Sequence, residues 1–166
     1  ILGGFAIYNV ENITLKQMTV TNTGIISSGI DMSNAKVELF DVALQGCGHS
    51  ALYIPVSTSE TTIVVATRCE FANSQFGAVV SGSFTLATFN NCVFNDNSGN
   101  GIHGSSSMIH LHGEATAIHS NKIDGIHAYG STKVIIHLPS HHNTSYNNRK
   151  EDRWTHFGGT ITNVED

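Results

Sequence analysis

The chain has 166 residues, 40% of them hydrophobic and only 13% charged, with a formal charge of −5. This is enough apolar material for one continuous core with about half the usual charge, and the scattered Lys and Arg form no basic stripe, so nucleic acid is not an expected partner. No apolar run approaches the roughly 18 residues that span a bilayer, so no membrane partner is expected either.

Sixteen glycines and two prolines, with abundant Val, Ile, Thr, Ser and Asn, favour short strands and tight turns over helices. In chain order the first recurring element is Gly4-Phe5-Ala6-Ile7, then Gly29-Ile30-Asp31-Met32, Ala51-Leu52-Tyr53-Ile54 and Gly77-Ala78-Val79-Val80. Gly101-Ile102-His103-Gly104 and Gly125-Ile126-His127-Ala128 complete the series. Each is a small residue, an apolar one, a variable one, and then an apolar or small one. The second positions (5, 30, 52, 78, 102, 126) recur every 22–26 residues, the length of one solenoid coil.

Inside each period a second element carries apolar residues at relative positions 1, 3, 6 and 8. It reads Ile13, Leu15, Met18, Val20, then Val37, Leu39, Val42, Leu44, then Val64, Ala66, Cys69, Phe71, and then Ala87, Phe89, Cys92, Phe94. Alternation at period two predicts strands with one face buried, and the step of three predicts a one-residue corner between two of them. The fifth coil keeps Ile109 and Leu111 but reaches Thr116 and Ile118 through a longer corner, and the sixth, from Val134 to Tyr146, is looser. Asn73, Asn95 or Asn97, Asn121, and Asn147 or Asn148 mark the turn leaving the third strand, where Asn tolerates a left-handed backbone and caps amides.

These elements predict an all-β, single-stranded, right-handed parallel β-helix solenoid of about six coils of 22–26 residues, each with three short strands. The expected single domain, 1–166, has coils at about 4–28, 29–50, 51–76, 77–100, 101–124 and 125–148. Residues 139–166 form a C-terminal excursion or cap, polar from Pro139 through residue 157, ending in a last strand at Thr160–Val164. Because the chain begins at Ile1 without Met, it is expected to be a piece of something longer.

Cys47, Cys69 and Cys92 are odd in number with no CxxC, which predicts neither a zinc site nor a disulfide framework. Cys69 and Cys92 share an inward column and behave as small hydrophobes. Ten histidines are present, most of them after residue 100. Stacking turns columns into neighbours, and Asp31, Tyr53, Val79, His103 and His127 share the outward position of the first strand. His103 and His127 fall on adjacent coils, close enough to act as a general base with an orienting neighbour. The ligand-binding candidates are Asp31, Tyr53, His103, Ser105 and His127, and the catalytic ones are His103 and His127. His110 and His137 are expected to stack on the second sheet. His110 and His112 stand side by side on a flat strand, which does not by itself converge on an ion, so no metal or cofactor is expected.

The repeated segments, including "NGIH" and "NNCVFNDNSGNGI", resemble the right-handed parallel β-helix, or pectate-lyase-like, superfamily over residues 4–146. The resemblance implies the solenoid fold and a substrate groove beside the first sheet. It covers pectate lyases, polygalacturonases, alginate epimerases, phage tailspikes, and non-catalytic domains such as those of some F-box proteins. The "NTD", "DD", "GHG" and "RIK" segments of polygalacturonases and the "DPHE" of alginate epimerases do not occur here, nor does a pectate lyase's set of acidic calcium ligands with a basic residue. The expectation is therefore a non-catalytic scaffold or binding module with a polysaccharide or protein partner. The alternative is a carbohydrate-active lyase, hydrolase or epimerase, or its degenerate relative, using the His103/His127 face.

Overall fold

The computed structural model describes residues 1–57, 61–138 and 144–165, and among these every regular element is a β-strand. The first two coils carry β1 (Phe5–Tyr8) and β2 (Ile13–Val20), then β3 (Ile30–Ser33) and β4 (Lys36–Gln45). The third has β5 (Ser50–Ile54), β6 (Thr62–Thr67) and β7 (Glu70–Ala72), and the fourth β8 (Phe76–Ser81), β9 (Thr85–Asn90) and β10 (Val93–Asn95). The fifth has β11 (Ile102–Ser105), β12 (Met108–His112) and β13 (Ala117–His119), and the sixth β14 (Ile126–Tyr129), β15 (Lys133–Leu138) and β16 (Ser145–Tyr146). Two strands of a seventh follow, β17 (Arg153–His156) and β18 (Thr160–Glu165).

Every pairing between named strands is parallel and joins one coil to the next. The first sheet runs β1-β3-β5-β8-β11-β14-β17. The long strands β2 and β4 bend through a corner. From the third coil onward their two halves continue separately, as β6-β9-β12-β15-β18 (the second sheet) and β7-β10-β13-β16 (the third). The bend is the predicted one-residue corner: Gln17, Asp41, Arg68 and Asn91 occupy it with φ of 51°, 53°, 52° and 53°. Arg68 closes two of these corners together by donating from Nε and a terminal nitrogen to both carboxylate oxygens of Asp41, at 2.7 and 2.8 Å.

The core is a set of columns. Ile30, Leu52, Ala78, Ile102 and Ile126 are in register and fully buried. The other two sheets bury the expected residues from Val37 to Ile118, while Ile13, Leu15 and Met18 of the first coil are only partly covered. Phe71 and Phe94 stack at 4.7 Å and 7°, and Cys69 and Cys92 are free and buried beside them.

Two adjacent columns share the asparagine turn. Asn73, Asp96, Ser120 and Asn147 take the positive φ, between 51° and 58°. One residue later Asn97 and Asn121 turn inward and are buried, with Asn148 partly buried above them. Asn97 Nδ2 donates to the Phe71 carbonyl (3.1 Å) and to Asn121 Oδ1 (2.9 Å). Asn121 Nδ2 donates to the Phe94 carbonyl (3.1 Å) and Asn148 Oδ1 (2.9 Å). Asn95 is not part of this ladder. Each amide serves a buried carbonyl below it and the next amide above it, so the turns supply the polar pairing that a buried backbone requires.

The C-terminal region differs from the sequence expectation. Arg153–His156, read as part of a polar excursion, is the seventh strand of the first sheet, with Ile126 opposite Arg153 and His127 opposite Trp154. It lacks the apolar alternation because it lies at the open end of the core. There Arg153 takes the inward position with only partial burial and donates to Asn163 Oδ1 at 3.1 Å. The last strand expected at Thr160–Val164 is found at Thr160–Glu165. Pro139, His141 and His142 lie outside the described residues.

Candidate functional site

The outward column of the first sheet reads Ala6, Asp31, Tyr53, Val79, His103, His127, Trp154 in unbroken register. It contains the five positions expected from the sequence, extended by one coil at each end. At its C-terminal half the His103 and His127 rings lie 4.8 Å apart, edge to face, with the two Nδ1 atoms at 3.2 Å. Such a contact needs a proton on one Nδ1 and a lone pair on the other, so the two imidazoles hold complementary tautomers. Asn100 fixes the arrangement. Its Oδ1 accepts the Asp124 amide at 3.0 Å, which turns Nδ2 toward both imidazoles, at 3.4 and 3.5 Å.

Burial lowers the pKa of both rings. For His103 the second cause is the charge His127 would carry, with Asp124 acting the opposite way. For His127 it is the charge of His156. Both are therefore neutral around pH 7. The Asp124 carboxyl is pushed up by burial, opposed by the Glu151 amide and by the charges of Lys150 and His103. Its Oδ1 accepts that amide at 3.3 Å. Asp124 Oδ2 and His127 Nε2, however, are buried without a hydrogen-bond partner among the described residues, a rare state for buried polar atoms. Asp124 also lines a 420 Å³ cavity with Lys150, Glu151 and Trp154.

Sequence reasoning missed Asp124 because Asp124-Gly125-Ile126 reads as a turn entering a strand. The structure leaves no room for a Cβ at Gly125, where it would collide with the Ser145 hydroxyl, but nothing in the sequence marks that contact. Ser105 is not brought to the imidazoles: it pairs with Ser81 and Tyr129 at the far end of β11, and no hydrogen bond among the described residues joins it to either ring.

Asp31 and Tyr53 are direct register neighbours and line a second cavity of 470 Å³ with Tyr8 and His49. Burial raises the Tyr8 hydroxyl pKa, as does its hydrogen bond to Asp31. This cavity and the imidazole pair are joined by rings. Tyr53 meets His49 at 5.4 Å, His49 meets Phe76 at 5.6 Å, and Phe76 meets His103 at 6.2 Å. Past the imidazole pair, His127 stacks on Trp154 at 4.2 Å and 27°, Trp154 on His156 at 5.5 Å, and His156 meets Phe157 at 4.0 Å. The first sheet thus carries a continuous aromatic strip from the third coil to the seventh.

On the second sheet His110, His112 and His137 form a separate cluster. The expected His110–His137 pair is present, with ring centres 5.1 Å apart and His110 Nδ1 to His137 Nε2 at 2.8 Å. The register brings His112 still closer to His137, at 3.8 Å.

A solenoid of stacked coils paired in parallel defines a β-helix protein. The model of the right-handed β-helix region matches residues 2–116, and the chain belongs to that family. No curated protein and no solved structure matches it.

Proposed function

We propose that this chain is a non-catalytic β-helix module that binds a polysaccharide lengthwise along its first sheet. The observation that carries the proposal is the unbroken aromatic strip from Tyr53 to Phe157. Aromatic faces accept the apolar C–H faces of sugar rings, and their polar edges and the groups around them serve hydroxyls. The coils rise about 4.8 Å each, close to the length of one sugar unit in an extended chain, so successive units meet successive coils. Asp124, Lys150 and Glu151, which line the cavity beside Trp154, offer donors and acceptors to sugar hydroxyls.

Trp154 is the one tryptophan in the sequence and stands in the strip, so its fluorescence reports binding directly. A glycan array should identify an extended oligosaccharide that shifts the Trp154 emission, while no reducing ends are released. His127→Ala should weaken binding about tenfold or more, a loss of roughly 1.4 kcal/mol. A ligand that binds the array but leaves Trp154 emission unchanged would place recognition elsewhere and defeat the proposal.

A second reading, a carbohydrate-active enzyme or its degenerate relative, is favoured by one observation: Asp124, with its raised pKa, shares a cavity with Glu151. Sugar hydrolysis uses a carboxyl pair of this kind, one acidic and one ionised. Release of reducing or unsaturated ends that Asp124→Asn abolishes, with the fold retained, would establish this reading in place of the first.

A further inference from the structure

The His110/His112/His137 cluster lies on the second sheet, away from the aromatic strip. His110 and His112 are two residues apart on β12, so the pleat puts both rings on one face. The ladder between β12 and β15 pairs His110 with Ile135 and Leu111 with Ile136, which brings His137 level with His112. Three half-buried imidazoles thus meet from two coils, each with a ring nitrogen within 4.8 Å of the others. A lone His-x-His strand presents two rings side by side; the third ring comes from the solenoid period, 25 residues after His112, which places it one coil on.

We propose that His110, His112 and His137 bind a divalent transition metal, with Zn²⁺ as the best fit and Ni²⁺ and Cu²⁺ as competitors. A donor set of imidazole alone suits these ions, whereas Mg²⁺ and Ca²⁺ require oxygen. Zn–N bonds of about 2.0–2.1 Å put tetrahedral ligand nitrogens about 3.4 Å apart. One pair is already at 2.8 Å, and the widest needs to close by about 1.5 Å at most. The rings now stack, with the His112 and His137 planes 15° apart. Coordination therefore asks them to swing from stacking to convergence, a rotamer adjustment open to half-exposed side chains. Three protein ligands leave a fourth position for water or an incoming oxygen donor. The bound ion would clamp the fifth coil to the sixth.

The test uses tag-free protein of the full sequence, stripped with a chelator and titrated with ZnCl₂ by calorimetry, with MgCl₂ and CaCl₂ as controls. The expected result is one Zn²⁺ per chain at micromolar Kd. At about a hundredfold excess over Kd, the melting temperature should rise by about 5 °C or more. His112→Ala and His137→Ala should each weaken binding at least about tenfold, and the triple variant should lose it. His103→Ala/His127→Ala should retain it. In a second readout independent of variant folding, Zn²⁺ should protect these three histidines of the unmutated chain from diethylpyrocarbonate, read by peptide mapping. Binding no tighter than that of Mg²⁺, undiminished Zn²⁺ binding in a folded triple variant, or no protection at the three rings would each overturn the proposal and leave a stacked imidazole ladder.

Discussion

Val64 and Val65 are adjacent in sequence and opposite in environment, so one substitution made at each tests the register of the whole solenoid. Val64 is buried between Val37 and Ala87 of the neighbouring coils; Val65 faces outward between Glu38 and Thr88. Val64→Lys forfeits roughly 1.5–3 kcal/mol of side-chain burial. It also forces an ammonium, or a neutralised amine with no partner, into a core lined by Leu39, Ala66 and Phe89, which costs several kcal/mol more. The total consumes most of a typical stability of about 5–15 kcal/mol. The same change at Val65 places a cation opposite Glu38, a cross-strand pair contributing about 0.2–1 kcal/mol. Circular dichroism melts and urea titrations should therefore show Val64→Lys unfolded or severely destabilised and Val65→Lys equal to the parent or slightly better. Comparable losses in both, or a larger loss at Val65, would mean the strand is turned over, since a one-residue slip exchanges the two faces.

Asn121→Leu should cost at least about 2 kcal/mol in urea midpoint analysis, because it takes the side-chain partner from the Phe94 carbonyl and from the Asn97 backbone amide at about 1–3 kcal/mol for each unsatisfied group. Asn147→Gly, at φ 54°, should be neutral or better. All three cysteines are buried, and the hydrogen bond the Cys92 thiol donates to Cys69, together with burial, pushes it far above its usual range. A thiol reagent should thus label none of them quickly until urea is added, and fast native labelling would contradict their inward placement. His103 and His127 have pKa values lowered by folding, so the unfolded chain protonates first as pH falls below about 6.5. Stability should accordingly be greatest above that value and decline toward pH 5. The double variant His103→Asn/His127→Asn should show a shallower decline, with a residue left by His110, which burial also lowers; an unchanged slope would refute the assignment.

The periodic part of the fold was legible because each signal had one physical cause. The step of three between Leu39 and Val42 could only be a corner, and the structure puts Asp41 there at φ 53°. The inward columns were legible because apolar alternation on a strand has a single buried solution. Arg153–His156 was not, since its inward positions close the end of the core instead of filling it, and so an Arg and a Thr stand where Ile and Ala stand one coil earlier. His103 and His127 were legible as neighbours by counting, but their partners were not. Asn100 reaches them from the turn before β11, held by the Asp124 amide from the turn before β14; neither belongs to the strand column that was counted.

That division explains why no local motif marks the aromatic strip. A solenoid places residues about one coil apart in sequence into direct contact, so a surface running along the axis draws its rings from successive turns, and only its ends take several from one segment, His49 with Tyr53 and Trp154 with His156 and Phe157. The outward column Tyr53, Val79, His103, His127 and Trp154 is separated by 26, 24, 24 and 27 residues, intervals too uneven for a fixed pattern yet each equal to one coil in register. The unevenness is absorbed in the corners and turns, which vary in length while the strands keep register. A ligand that matches such a surface must itself repeat at the coil rise and extend over several repeats. On the proposed function, that requirement favours a polymer over a small molecule, with its firmest contact at Trp154 and the cavity lined by Asp124, Lys150 and Glu151.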